Sequence, residues 1–172
     1  MQRILRDLNY TCYCADETVQ KIYSRKQVIS EMSKLFPEYV SDNMVNIKII
    51  REYIFKDEQK RIQLEKYIHP KVFEDFKKII KNSYNEMIFF IFPLIQNNIF
   101  ENKYETIYID ADEDIRFKRI SKRENYDEKM SREIIKLQNS FKKNKKNSNY
   151  YIKNNDSILQ LEMGVKELIK KL

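Results

Sequence analysis

Apolar positions along this 172-residue chain change period several times, and each change marks an element. "MQRILRDL" (1–8) reads as the tail of an amphipathic helix, and "NYTCYC" (9–14) as a short strand. Asp16 then opens a helix running to about Tyr23. From Gln27 to Ser83 the pattern is helical: Ile47, Ile50, Ile54 and Phe55 recur at helical spacing, with Ile62, Leu64 and Ile68 following more loosely. His69-Pro70 predicts a helix restart, because proline is tolerated at a first helical position. The continuous apolar run "MIFFIF" (87–92) predicts a parallel strand buried on both faces. "TIYIDA" (106–111) and "YYIK" (150–153) predict two more strands, with helices at 112–124, 131–145 and 156–171. Strands alternating with helices predict an α/β fold, a parallel sheet flanked by helices. No repeat or linker interrupts the pattern, so the length fits one domain.

Composition narrows the class. The chain is 42% apolar and 13% aromatic, enough for a real core. No apolar run approaches the roughly 20 residues that span a bilayer. The N-terminus is charged and amphipathic, without the apolar stretch and small-residue site of a secretory signal. These features predict a cytoplasmic chain with no membrane partner. Cys12 and Cys14 flank one tyrosine and would point the same way in a strand. With no second pair or nearby histidine they predict reduced thiols and no metal site.

Charge adds a location. Net charge is +7, and residues 117–146 hold 11 Lys/Arg against 4 Asp/Glu. The rest of the chain is balanced, so one segment carries the whole excess. A solvated helix face, a nucleic-acid arm and a clamp on the phosphates of a small substrate all fit such a segment. The lone glycine, Gly164, lies in a late amphipathic helix. A phosphate-cradling loop needs several glycines so that backbone N–H groups can approach the phosphates. The chain therefore contains no P-loop.

Other stretches nonetheless carry a resemblance. "CADETV" after a strand, "IREYIF" followed by "EKYIHPKVFEDF", "FPLIQN", "IDADEDIRFKRISKREN", Gln138 and "YIKNND" occur in one order. Spacings of 14 residues from Phe55 to His69, 19 from Arg119 to Gln138 and 16 from Gln138 to Asn154 accompany them. In this order and spacing the blocks resemble the dephospho-coenzyme A kinase family over the whole chain, starting just after that family's first strand and Gly-Lys-Ser/Thr loop. The resemblance implies a P-loop kinase-like sheet whose central first strand is missing, a helical substrate-binding insert at about 27–83 and a basic lid at about 119–146. Strands beside the missing one would face an unpaired gap, where unsatisfied buried backbone groups cost roughly 1–3 kcal/mol each. ATP and Mg2+ are the implied cofactors, and dephospho-CoA the implied small-molecule substrate.

The same resemblance assigns residues. Asp16 matches the second acid of the family's Asp-Ala-Asp, which handles the 3′-hydroxyl; a carboxylate can accept or orient that proton. As a plain reading, Asp16 is a helix N-cap. His69 and Pro70 fall in the insert that receives the CoA moiety, as does Arg51, and Pro93-Leu94 follow the second strand on the substrate side. Arg119 and Arg123, four apart on one helix face, lead into the lid with guanidinium groups for ATP phosphates. Asn154 and Asn155 match the loop that holds the adenine ring; alone they read as a turn ending in Asp156 as a cap. Lys118, Lys122 and Arg132 read as solvated charge. Departures accompany the match: Cys14 replaces the first acid, Asn97 a glutamate, Ile47 an arginine and Asn149 an aspartate.

Three readings remain. The first is a kinase, transferring the γ-phosphate of MgATP to the 3′-hydroxyl of dephospho-CoA, that needs a P-loop from outside these residues and is inactive without it. The second is a non-catalytic relative that binds a CoA-like ligand. The third is a nucleic-acid binder, against which the basic segment lacks interleaved aromatics and any recognition motif.

Overall fold

Among the described residues, every non-glycine residue with positive φ sits at a turn, and these turns delimit the first elements. The computed structural model describes residues 1–54, 57–83, 87–93, 104–123 and 127–172, without the side chains of 53, 54 and 142–144. It divides into two units, 1–93 and 94–172. In the first, α1 (Gln2–Asp7) stops where Asn9 takes φ 61°. Asn9 N–H then bonds to Arg6 O and Tyr10 N–H to Leu5 O, both at 2.9 Å, the two bonds of a Schellman stop. β1 (Thr11–Cys14) follows, then α2 (Ala15–Tyr23) and α3 (Lys26–Leu35). β1 pairs in parallel with β4 (Ile88–Ile91), in the register Thr11↔Ile88 through Cys14↔Ile91. Tyr13 stacks on Phe90 at 5.7 Å, and Phe76 closes on Phe90 at 4.5 Å.

Phe76 comes from α5 (Glu58–Asn82), whose Leu64, Ile68, Val72 and Phe76 form one buried stripe. Here the structure departs from the expected restart at His69-Pro70. α5 runs unbroken, and Pro70 lies inside it. Proline has no N–H to give the carbonyl four residues back, a cost of about 3 kcal/mol. The four buried side chains contribute roughly 6–12 kcal/mol before chain entropy is counted. Burial wins, and the helix continues. Asp57 caps its start by accepting from Lys60 N–H at 3.0 Å.

Two more differences are local. Between α3 and α4 (Ile47–Ile54) the helical reading missed a hairpin, β2 (Val40–Ser41) and β3 (Met44–Val45). Asp42 and Asn43 form its turn with φ of 50° and 56°, the left-handed pair a two-residue hairpin requires. β4, expected to be buried on both faces, is half-buried along its length. It has one hydrogen-bonded neighbour, β1, so one edge carries no strand among the described residues.

Glu31 joins α3 to α5. Its carboxylate accepts from Tyr67 Oη at 2.7 Å, Lys71 Nζ at 3.1 Å and Gln27 Nε2 at 2.9 Å. Those hydrogen bonds, led by Tyr67, hold Glu31 at about 2, below the usual carboxylate value. A depressed folded value stabilises the fold above the unfolded value, and that contribution is lost as pH falls through 2. Glu31→Gln is therefore expected to lower Tm near neutral pH, with the gap from the parent closing as pH drops from about 4.5 toward 2. A Tm series against pH checks this; a gap of constant size would show that the charge contributes nothing.

The second unit contains β5 (Ile107–Asp110), α6 (Glu113–Ser121), α7 (Glu128–Ser140), a 3-10 segment (Lys142–Asn147), β6 (Tyr150–Lys153) and α8 (Ile158–Ile169). β5 and β6 are parallel, with Ile107↔Tyr150 through Asp110↔Lys153 in register. The expected parallel strands thus appear as two separate pairs, one in each unit. α8 lays Leu161, Val165 and Leu168 inward. Gly164 lies within it against Ile152, as its place in the sequence predicts. α8 begins at Ser157, not Asp156: Ser157 Oγ accepts from Gln160 N–H at 3.2 Å in a reciprocal capping box.

Candidate functional site

In a parallel sheet, side chains just beyond the carboxyl ends of strands share one rim, where ligands of open α/β sheets bind. In the first unit β1 ends at Cys14, and the chain turns at once into α2. Cys14 occupies the N-cap position and makes no side-chain cap bond. Asp16 is therefore one turn-step inside the helix and not its cap. It is exposed, and no hydrogen bond or ion pair of its carboxylate occurs among the described residues. Glu17 is the engaged acid, accepting from Gln2 Nε2 at 2.8 Å and from Arg6 at 3.3 Å. The unmet N–H groups of the first helical turn favour negative charge at Asp16.

The residues that the resemblance assigns to the substrate side are scattered along the elements of this unit. His69 packs on Phe73 at 6.2 Å, and Phe73 on Phe92 at 6.2 Å. Burial holds His69 below the usual imidazole value, with Glu65 opposing. Pro70 is exposed on the next position of α5, Arg51 is exposed on α4, and Pro93 is exposed just past β4. Leu94 and Asn97 lie outside the described residues. Cys12 and Cys14 are free and half-buried.

The second unit brings its assigned residues together. Arg119, on α6, donates to three successive carbonyls: Asn154 O at 2.7 Å, Asn155 O at 3.4 Å and Asp156 O at 3.2 Å. Asn155 ties the same turn to the end of β5, with its Oδ1 accepting from Asp112 N–H at 2.8 Å. Its Nδ2 donates to Asp112 Oδ2 at 2.6 Å, which leads in holding that carboxyl below its usual value, with Lys153 adding to it. Asn154 N–H reaches Asp110 O at 2.6 Å. Arg123 follows α6, is exposed, and has no guanidinium partner among the described residues.

Sequence reasoning missed Arg116. It donates to Ala111 O at 3.0 Å, Gln138 Oε1 at 2.6 Å and Asn139 Oδ1 at 2.8 Å, locking α6 to α7. Its spacing three before Arg119 was the available signal. Lys145 was missed as well: its Nζ sits 3.2 Å from Asp110 and 4.1 Å from the Tyr151 ring centroid. Lys118 and Lys122 are exposed, and Arg132 pairs with Glu128 on its own helix at 2.6 Å. Among the described residues no three potential metal ligands group together, and no helix is long and apolar enough to cross a membrane.

The family model for dephospho-CoA kinase matches residues 1–160. The chain belongs to the dephospho-CoA kinase family. It is 26% identical over 164 residues to the dephospho-CoA kinase of Fusobacterium nucleatum, covering 94% of this chain and 85% of that one. With the Rickettsia conorii dephospho-CoA kinase it shares 28% over 174 residues, 98% and 87% of the two chains. The fold is similar to that of a Thermus thermophilus protein of known crystal structure, with a TM-score of 0.78 at 20% identity over 99% and 89% of the chains. It is also similar to dephospho-CoA kinase from Campylobacter jejuni, at 0.65 and 21% over 98% and 88%. Family membership makes the chain a transferase-type kinase fold linked to coenzyme A biosynthesis. It also agrees with the resemblance that the ordered sequence blocks carried.

Proposed function

We propose that these residues form the substrate and adenine sides of a dephospho-CoA kinase, which moves the γ-phosphate of MgATP to the 3′-hydroxyl of dephospho-CoA once a P-loop is supplied. Asp16 carries this reading. It is an exposed carboxylate at the carboxyl end of a parallel strand, in the first turn of a helix and not engaged as a cap. Such a group can take the hydroxyl proton or aim the oxygen at phosphorus. Mg2+ would neutralise phosphate charge and would call on at most one or two protein carboxylates; Asp16, if it held the ion, would orient the hydroxyl rather than take its proton. Residues 27–83 act as the CoA-side insert, with Arg51, His69, Pro70 and Pro93 toward the substrate. Half-buried His69, packed on Phe73, shapes the substrate side, and the proton-handling role falls to Asp16.

Residues 119–146 act as the lid, with Arg123 free to meet phosphate and Asn154-Asn155 under the adenine. In a version carrying a strand and P-loop ahead of Met1, Asp16→Asn is expected to lower kcat at least about a hundredfold. KM for dephospho-CoA should change little. Unchanged kcat would remove Asp16 from the chemistry. A second reading, a non-catalytic relative that binds a CoA-like ligand, is favoured by one observation: the lone glycine is spent inside α8. Binding of dephospho-CoA with no turnover even in the extended version would select it.

A further inference from the structure

An exposed arginine usually finds a carboxylate or points into water. Arg119 does neither: its three contacts are neutral main-chain oxygens from three consecutive residues, and no acid pairs with it among the described residues. One planar fork spanning successive carbonyls fixes their directions relative to one another, which a lysine head cannot do. The turn is also held from its other side, through Asn155 on Asp112 and Asn154 N–H on Asp110 O. It is thus clamped between the ends of β5 and α6. Each carbonyl has a second lone pair, and Arg119 occupies one. What remains is a short rim of three carbonyls, each with one acceptor position left.

Such a rim discriminates between purines. Adenine presents an amino donor at its six-position, whereas guanine presents a carbonyl acceptor there. We propose that Arg119 is a positioning residue that orients the 154–156 carbonyls and so sets the preference for a 6-aminopurine over a 6-oxopurine. This rests on the reading that the turn holds the base of the nucleotide. It changes the role of Arg119 from phosphate contact to support of the base site, and leaves Arg123 as the phosphate-facing arginine.

Nucleosides separate the two roles, because they carry no phosphate. In the 172-residue chain, adenosine is expected to shift the amide resonances of 154–157 and to bind at least about tenfold tighter than guanosine. Arg119→Ala and Arg119→Lys should each weaken adenosine about tenfold and bring the two nucleosides toward parity, since hydrogen bonds to a charged group are lost. Lys118→Ala, the same charge change one residue away, should alter neither affinity. Equal adenosine affinity in the parent and Arg119→Ala overturns the positioning role and leaves the base site standing. No adenosine shift at 154–157 in the parent overturns both. Amide exchange without ligand gives an independent check: the Asn154 N–H should exchange faster in Arg119→Gln, with the β1–β4 amides unchanged to show that the fold is kept. Unaltered exchange at Asn154 would also overturn the proposal.

Discussion

The 172-residue chain alone is expected to give no measurable transfer from MgATP to dephospho-CoA, a deficit of many orders of magnitude against the same chain with a phosphate cradle. Removing a single preorganised donor to a transition-state oxyanion costs about 10²–10³ in rate. A P-loop supplies several backbone N–H groups and a lysine together. Nothing among the described residues replaces it. A backbone anion nest needs a residue of positive φ; among the described residues these are Asn9, spent in the stop of α1, and Asp42 and Asn43, spent in the β2–β3 turn. Gly164 is helical. An ADP-release assay with the purified chain tests this, and robust turnover would overturn it. A version extended with a strand and Gly-x-x-x-x-Gly-Lys-Ser loop should gain turnover. If the extended protein folds and stays silent, the non-catalytic reading takes over.

What the sequence disclosed depended on whether the signal was local. α2, β5, β6 and α8 follow their apolar runs, because each run has one dominant way to bury itself. β4 misled on burial. Its unbroken apolar run implies two covered faces, yet a strand with one paired neighbour is half-exposed along its length. The hairpin at 40–45 was hidden by the helical periodicity on both sides, although Asp42-Asn43 is a left-handed turn pair that could have been weighed. Pro70 failed for a different reason: local backbone chemistry argued for a break, and the long-range stripe of Leu64, Ile68, Val72 and Phe76 overrode it.

The candidate site divides in the same manner. The family resemblance pointed to Asp16, Arg119, Arg123, Asn154 and Asn155, among others. Spacing placed Arg119 and Arg123 on one face but could not say what each guanidinium would meet, because acceptors 35 to 37 residues away are invisible to a local pattern. Arg116 escaped for that reason too. Its partners lie on α7, and only the fold brings Gln138 and Asn139 to it.

Arg123→Ala, in the P-loop-bearing version, is expected to lower kcat about a hundredfold, on the order of 3 kcal/mol. Arg123 sits just past α6, where its N–H closes the helix on Ile120 O at 2.9 Å, while its guanidinium has no partner among the described residues. A charge not spent on protein acceptors matters most when negative charge spreads over the transferring phosphoryl group, so the loss should fall on kcat more than on KM. Lys118→Ala removes an equal charge from an exposed position of α6 and should leave the rate within about twofold, as for a screened surface charge. A nucleic-acid arm makes the opposite forecast. Both substitutions would then weaken DNA or RNA binding alike, each reducing the slope of log affinity against log salt by about one unit. Steady-state kinetics and a salt titration on the two variants separate these cases. A large kcat loss confined to Arg123 supports the clamp; small, equal rate effects with parallel losses of nucleic-acid affinity would assign the basic segment to a polyanion instead.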